Sequence, residues 1–593
     1  MHKFALAAER AVQIYAVLTA FILLGSGVVY LWLGHWPATH ADYWHIYDCC
    51  LNHTWLESAL HKNWEHLMFF PSFFWLADLR FFHGKQLPLF LASLTMLFLT
   101  VALLLIPVWR DDTVGFTAKI VATLVVILGN FWMARAPIIA SGGFNCVASL
   151  LIASATLSFV LLPNLGVSSV RMVSTLLVVC AAVVASFSAG IGLAIWPTLL
   201  FLAWCLRLPW RSFVSLGIAA VAAIVIYQQI PPHLSGYGTL QAAGSAGLAQ
   251  VPRLCRLVGS PFFYAASGWH EKPFSSQAAR TISLWGGEAG LVLAVIVLVF
   301  ILIRRNIAKS RLKLIGTALI TFNLLAMAII VVGNSSRGPH FQSEFLFPRY
   351  LFFGTLFWTG LVLVGIQLAE LKQWLRWPMY LVALALPVVV FPMHYRSGLH
   401  WNSARTMAEA GATSLVNGVQ DDEQIRILAP AAGGTNYVYR VAEELRARRL
   451  DMFADGLQDW LGANETSITS RPYKREELSG QCKVAALVRC GNGAPAARIT
   501  GQIWKSGHRV PKTLVIVDPG GVVRGIGHSS SIYSENRFVN STFYGSSVMQ
   551  TWFVGYIRDY DPGLQYAIRS ADHGILSEEM IPVQSSITKS TNP

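Results

Sequence analysis

The chain has 593 residues, of which 54% are hydrophobic and 13% charged, with a formal net charge of +14 and a mean hydropathy of +0.50. A soluble chain of this length is about one quarter charged, so the composition excludes an ordinary soluble protein. The basic excess reads as Lys and Arg held in cytoplasmic loops, not as a nucleic-acid surface.

About 20 apolar residues cross a bilayer. Long uncharged runs occur at about 12–33, 87–108, 117–134, 145–163, 172–189, 191–206, 212–230, 284–303, 314–332, 350–370 and 377–393. These predict an α-helical integral membrane protein of about eleven transmembrane helices. The first run lacks a small-residue cleavage site after it and reads as a retained helix. Every second connection is basic: Lys3 and Arg10, Arg110, Arg171, Arg207 and Arg211, the group Arg304 to Lys313, then Lys372 and Arg376. That alternation predicts a cytoplasmic N-terminus and places everything after about 394 outside.

The outer segments are then 34–86, 135–144, 231–283 and 333–349. Within the first, Leu67 to Phe82 is apolar but short and contains Asp78 and Arg80, the pattern of an amphipathic helix on the membrane surface. The domain plan is a polytopic domain at 1–396, a linker with a small α/β segment at 397–480, and an extracytoplasmic β-sandwich at 481–593. Arg426 to Ala429 reads as a strand and Val438 to Arg449 as a helix. Strands are predicted at Ala497–Trp504, Thr513–Val517, Val522–Ile526 and Phe553–Ile557. Asp518-Pro519-Gly520-Gly521 marks a turn between two of them. Cys482 and Cys490 fall in this outer part, where an oxidising compartment permits a disulfide between them.

No predicted helix centre carries an ionisable residue, which argues against an ion-coupled transporter. Ionisable residues gather instead in the first outer loop: Asp42, Asp48, Glu57, Glu65 and Asp78, seven histidines, and five tryptophans from Trp36 to Trp75. Carboxylates and imidazoles supply bases. Set against this, aromatic residues are common at membrane interfaces and outer carboxylates are usually solvated. No metal-ligand spacing such as HExxH is present. A second group, Gly333 to Gly338 and Phe347 to Tyr350, contains Arg337 and Arg349. Two guanidinium groups at an outer headgroup plane suit a phosphate; the plainer reading is a pair of interfacial anchors.

The first loop reads Ala41-Asp42-Tyr43-Trp44-His45-Ile46-Tyr47, then Asn63-Trp64-Glu65-His66, Phe70-Pro71 and Trp75-Leu76-Ala77-Asp78-Leu79. With Ser186 to Pro197, Gly259-Ser260-Pro261 and Arg349-Tyr350 opening a helix, it resembles bacterial membrane enzymes of the GT-C glycosyltransferase superfamily. The likeness is to those related to pilin arabinofuranosyltransferases. These have an Asn-Glu-His-Arg-like motif; here Trp64 is inserted and Leu67 replaces the Arg. The resemblance implies transfer of a sugar, arabinofuranose at family level, from a polyprenyl-phosphate donor at the outer face of the bacterial inner membrane. The acceptor would be a hydroxyl of a pilin-like glycoprotein or a cell-surface glycan. Asp42 would be the general base, with Asp48 the second candidate. Tyr43, Trp44, Asn63, Glu65 and His66 would shape the sugar pocket. Arg349, with Arg337 behind it and Tyr350 alongside, would hold the phosphate. Some members of the superfamily use a divalent cation and others do not.

The C-terminal part resembles jelly-roll carbohydrate-binding modules appended to such enzymes, with Trp504, Trp552 and Tyr556 placed to stack on sugars or to fill a core. Two rivals stand beside the transferase: a lipid-linked polysaccharide polymerase or ligase, and a non-enzymatic flippase or assembly protein that would need no particular carboxylate.

Overall fold

A computed structural model describes residues 2–63, 66–230, 250–269, 277–304, 307–334, 346–429, 434–468, 478–505, 512–531, 551–572, 575–576 and 580–584. The chain divides into two units. One comprises residues 1–32, 53–74 and 89–398; the other comprises 33–52, 75–88 and 399–593.

Among the described residues, nine helices are long and apolar enough to cross a membrane: Leu6–Gly34, Leu87–Trp109, Phe116–Arg135, Asn145–Gly166, Trp210–Gln229, Gln277–Arg304, Arg311–Gly333, Pro348–Leu371 and Gln373–Val416. Two shorter apolar helices, Arg171–Ser186 and Gly190–Cys205, correspond to the predicted runs 172–189 and 191–206. Their 16 residues each would rise only about 24 Å, less than a hydrocarbon core of about 30 Å.

The first unit packs its helices through small residues. A Cβ added at Gly360 would lie 2.6 Å from the Gly316 carbonyl oxygen, and one at Gly316 would lie 2.8 Å from that of Gly360. Two helices, Arg311–Gly333 and Pro348–Leu371, therefore cross with their backbones nearly touching, the arrangement small residues permit where no apolar–water contrast drives association. In the same unit, strands β1 (Lys62–Asn63) and β2 (His66–Leu67) form a small antiparallel hairpin. Lys62 donates to the carbonyls of Tyr227 and Ile230 at 2.8 and 2.5 Å. This cation sits at the negative end of the helix Trp210–Gln229.

The second unit contains a closed β-barrel instead of the expected sandwich. Its strands are β4 (Leu478–Cys490), β5 (Pro495–Lys505), β6 (Thr513–Val517), β7 (Val523–Ser531), β8 (Thr551–Arg558), β9 (Ala567–Asp572) and β11 (Ile581–Gln584); β3 (Val419–Gln420) and β10 (Ile575–Leu576) pair at the side. The order β9-β11-β4-β5-β8-β7-β6 closes because β6 also pairs with β9, with Leu514 opposite Ser570. Alternating apolar and polar residues look the same in a sandwich and in a barrel. The closing pair joins segments more than fifty residues apart, and nothing local announces it. Val484, Ile499, Ile503, Leu514, Ile516, Phe553, Ile557 and Ile568 fill the interior.

The predicted turn is present: Asp518 Oδ1 accepts from the amides of Gly520 and Val522 at 2.9 and 3.0 Å, and Gly521 has φ +75°. Arg426 to Ala429 is a turn following a short helix, Asp422–Ile425, not a strand. Its start is fixed by Asp421, whose side chain caps that helix and also pairs with Arg498 of β5 at 3.0 Å.

The disulfide does not form. Cys482 and Cys490 are buried free thiols on the same strand β4. Eight residues of extended chain separate their Cα atoms by about 26 Å, against the roughly 7 Å a disulfide allows. Cys482 lies in the barrel interior, where burial pushes its thiol up to about 12.

Gly360→Leu should lower the apparent unfolding midpoint of the detergent-solubilised protein through an overpacking cost of about 1–3 kcal/mol or more. Gly333→Leu is the control, because nothing lies within 4 Å of its added Cβ. Equal midpoints for the two variants would contradict the close crossing.

Candidate functional site

In the second unit, residues 33–52 follow the first long helix and form a ten-residue helix, Tyr43–Asn52. Its buried face is Tyr43, Trp44, Ile46 and Tyr47. The other face carries Asp42, His45 and Asp48 at helical spacing, each half-buried. The periodicity thus separates anchors from chemistry.

The anchors include two residues expected to touch substrate. Trp44 is fully buried and its indole N–H donates to the Leu428 carbonyl at 2.9 Å. Tyr43 is also fully buried, and its hydroxyl accepts from the Trp75 indole at 2.9 Å. Both hold this helix in place.

On the chemical face, Asp48 accepts from Arg440 Nη2 at 2.6 Å, Tyr437 Oη at 2.8 Å and Asn52 Nδ2 at 3.0 Å. Burial alone would raise its pKa, but these donors outweigh it and hold the carboxylate below its ordinary value. An acid so well supplied with donors is a weak proton acceptor. The His45 ring stacks on Tyr437 with centroids 4.4 Å apart. Burial lowers its pKa, against the opposing pull of Asp42 and Asp48, so the ring is neutral near pH 7. Asp42 precedes the helix, and its carbonyl accepts from the amides of His45 and Ile46. Among the described residues no Lys or Arg pairs with its carboxylate. Of the two acids proposed for proton transfer, Asp42 is therefore the one left available.

Behind the helix Tyr43–Asn52 lies a polar layer whose burial sequence reasoning missed. Asp78 and Asp451 are 1% and 4% exposed. Tyr47 Oη donates to Asp78 Oδ2 at 2.9 Å, and Gln86 Nε2 donates to Tyr47 Oη at 2.6 Å. The Thr39 amide donates to Asp451 Oδ2 at 2.9 Å. The Oδ1 atoms of both aspartates are buried without a hydrogen-bond partner, and no described basic side chain pairs with either. Burial raises Asp78 to about 6, with Tyr47 and Gln86 opposing. Burial, with repulsion from Asp78, raises Asp451 to about 7 against the bonds from Thr39. Ala41, His83, Gln86 and Asp451 all have positive φ, between 51° and 60°. Asp451 N also donates to the His83 carbonyl at 2.6 Å. Strained backbone of this kind persists only where surrounding contacts over-determine it, and it concentrates at functional sites. Asp78 therefore belongs to the interior, not to the polar face of a surface helix. Asp451 follows a helix in a charged stretch, and no sequence signal distinguishes it.

The remaining candidates lie in the first unit or outside the described residues. Arg349 opens the helix Pro348–Leu371, is exposed, and places its guanidinium 4.9 Å from the Tyr350 ring and 5.4 Å from that of Phe347. His66 is exposed on β2, with Nδ1 3.4 Å from where a Cβ at Gly190 would stand. Asn63 pairs with it across the hairpin; its side chain, together with Glu65 and Arg337, lies outside the described residues. On the barrel, Trp504 and Trp552 are each 44% exposed. The register puts them diagonally on one outward face, since Trp552 opposes Gln502. Tyr556 is buried and donates to Asp421 at 3.0 Å, so it is a core residue. Among the described residues no three His, Cys, Asp or Glu side chains converge to hold a metal ion. No family model, curated protein or solved structure matches the chain.

The acid pair has a signed consequence. Both folded pKa values exceed the ordinary 3.8, so the folded state binds these protons more tightly than the unfolded chain. Their contribution favours folding at low pH and is lost as pH rises through about 6 to 7. Asp451→Asn should raise the apparent unfolding midpoint by a few degrees at pH 8 and by much less at pH 5. A gain independent of pH, followed by tryptophan fluorescence, would contradict the assignment.

Proposed function

We propose that the chain is a multi-pass membrane glycosyltransferase that moves a sugar, arabinofuranose in the resemblance, from a polyprenyl-phosphate donor to a hydroxyl of a cell-surface glycan or glycoprotein. It works in the bacterial inner membrane with its N-terminus cytoplasmic and the helix Tyr43–Asn52 and the barrel outside. The observation that carries this reading is Asp42. It is a half-buried carboxylate just beyond the first long apolar helix, free of a basic partner among the described residues, where the resembling enzymes have their acid. Asp48, the alternative, is occupied by Arg440 and Tyr437.

The acceptor O–H gives its proton to Asp42 as its oxygen bonds to the anomeric carbon. The bond from that carbon to the phosphate oxygen breaks, and its electron pair leaves with the lipid phosphate. A base must lie within about 3 Å of the acceptor hydroxyl, and a preorganised cation must meet the departing charge. The Asp78 and Asp451 bonds hold Tyr47 and Thr39, on either side of Asp42 in sequence, and so fix the segment that presents the base.

In detergent, with labelled polyprenyl-phosphate sugars and an envelope acceptor, Asp42→Asn should reduce transfer about 100- to 10,000-fold, the usual value of a general base. Asp48→Asn should cost less than about tenfold. Loss in Asp48→Asn with survival of Asp42→Asn would reverse the assignment. No turnover of any such donor by the wild type would favour a flippase or assembly role.

A further inference from the structure

Arg135 is 3% exposed. It follows the helix Phe116–Phe131 in a single 3₁₀ turn, Met133–Arg135. Its Nη1 donates to the Gly129 carbonyl at 2.6 Å. Its guanidinium carbon lies 4.0 Å from the ring centroid of Phe352 on the helix Pro348–Leu371. These contacts use one N–H and set the group against an apolar ring. A guanidinium has five N–H donors in a planar fork and keeps its proton at any physiological pH. Among the described residues no carboxylate pairs with it.

A buried carboxyl can relieve this predicament by binding a proton more tightly, the direction in which burial pushes Asp78 and Asp451. A buried guanidinium cannot, and an unpaired buried charge is strongly unfavourable. The Gly129 carbonyl, near the negative end of its helix, offsets part of that cost. The remaining N–H donors have no carboxylate partner among the described residues, and a planar fork matches phosphate oxygens in a bidentate way. A second buried donor lies just beyond this connection. Asn145, in the first turn of the helix Gly142–Leu161, has its Nδ2 buried with no hydrogen-bond partner, while its Oδ1 accepts from Ser149 at 2.8 Å. The short helix between them, Ala136–Ile139, packs against that helix.

We infer that Arg135 anchors a phosphate-binding site in the first unit, with the phosphate of a polyprenyl-phosphate lipid as its occupant. The lipid identity rests on the transferase reading; the need for an anion does not. In this assignment Arg135, not the exposed Arg349, supplies the buried cation for the donor phosphate. Arg135 lies in a connection the sequence placed outside, and its burial could be seen only once Phe352 was brought against it.

The test uses the full chain in a phosphate-free maltoside detergent, with polyprenyl phosphate, the uncharged polyprenol and inorganic phosphate as probes. A ligand that binds only the folded state raises the unfolding midpoint with concentration. Polyprenyl phosphate should raise it saturably and polyprenol should not. Arg135→Gln should weaken the effect at least tenfold, and Arg135→Lys, which keeps the charge but not the fork, should fall between. Stabilisation by inorganic phosphate alone, lost in Arg135→Gln, would keep the site and assign it to a free anion. No stabilisation of the wild type by either phosphate, or equal stabilisation of Arg135→Gln, overturns the inference. If Arg135→Gln does not fold, the wild-type comparison of polyprenyl phosphate with polyprenol decides together with Arg135→Lys. Binding without sugar transfer would keep the site and remove the transferase. Transfer abolished by Asp42→Asn but untouched by Arg135→Gln would do the reverse.

Discussion

The constraint on which the rest depends is that a polar group taken out of water must find a partner or give up its charge. Where the chain leaves its first long helix, it places two aspartates in an interior with no cation among the described residues to meet them. Their answer is partial: one oxygen of each accepts a hydrogen bond, the other is left over, and burial lifts both toward neutrality. In return they hold Tyr47 and Thr39, and through them the backbone on either side of Asp42. Four residues with positive φ cluster in the same layer. A chain would not keep such conformations at a surface free to relax.

That layer separates two kinds of residue on one short helix. Tyr43 and Trp44 look like a substrate platform because they are aromatic and lie in a loop rich in acids. Their polar atoms are already committed to Trp75 and Leu428, so they are anchors. His45 and Asp48 share the opposite face with Asp42, but Asp48 is tied to Arg440. The acid without a basic partner among the described residues is the one just before the helix. Arg135 presents the complementary problem with opposite sign, because it has no neutral form to retreat to.

Much of this architecture was legible from residues alone, and the limits have physical causes. Long apolar runs announce themselves because length and hydropathy are local properties; runs 172–189 and 191–206 became helices too short to match the others. Strands β5 to β8 and the Asp518–Gly521 turn were readable for the same reason, whereas β4, β9 and β11 were not. The barrel was not, because its closure depends on β6 meeting β9, a pairing between distant segments. The expected disulfide failed on strand geometry: two cysteines eight residues apart on one strand point into the protein at separate places. Within the site, Asp42 and Asp48 were visible as acids after the first helix. Asp78 was visible as a loop acid too, but its burial and its coupling to Asp451 were not, since that coupling exists only when residues 373 positions apart in the chain meet.

The central claim is that the segment carrying Asp42 meets the sugar of a lipid-phosphate donor. Photo-crosslinking tests it most directly, with a polyprenyl-phosphate sugar bearing a small diazirine on the sugar ring and the modified peptides mapped by mass spectrometry. The account predicts labelling within residues 36–48, diminished by excess unlabelled donor. Competable labelling confined to peptides elsewhere in the chain, with none in that segment, would contradict it.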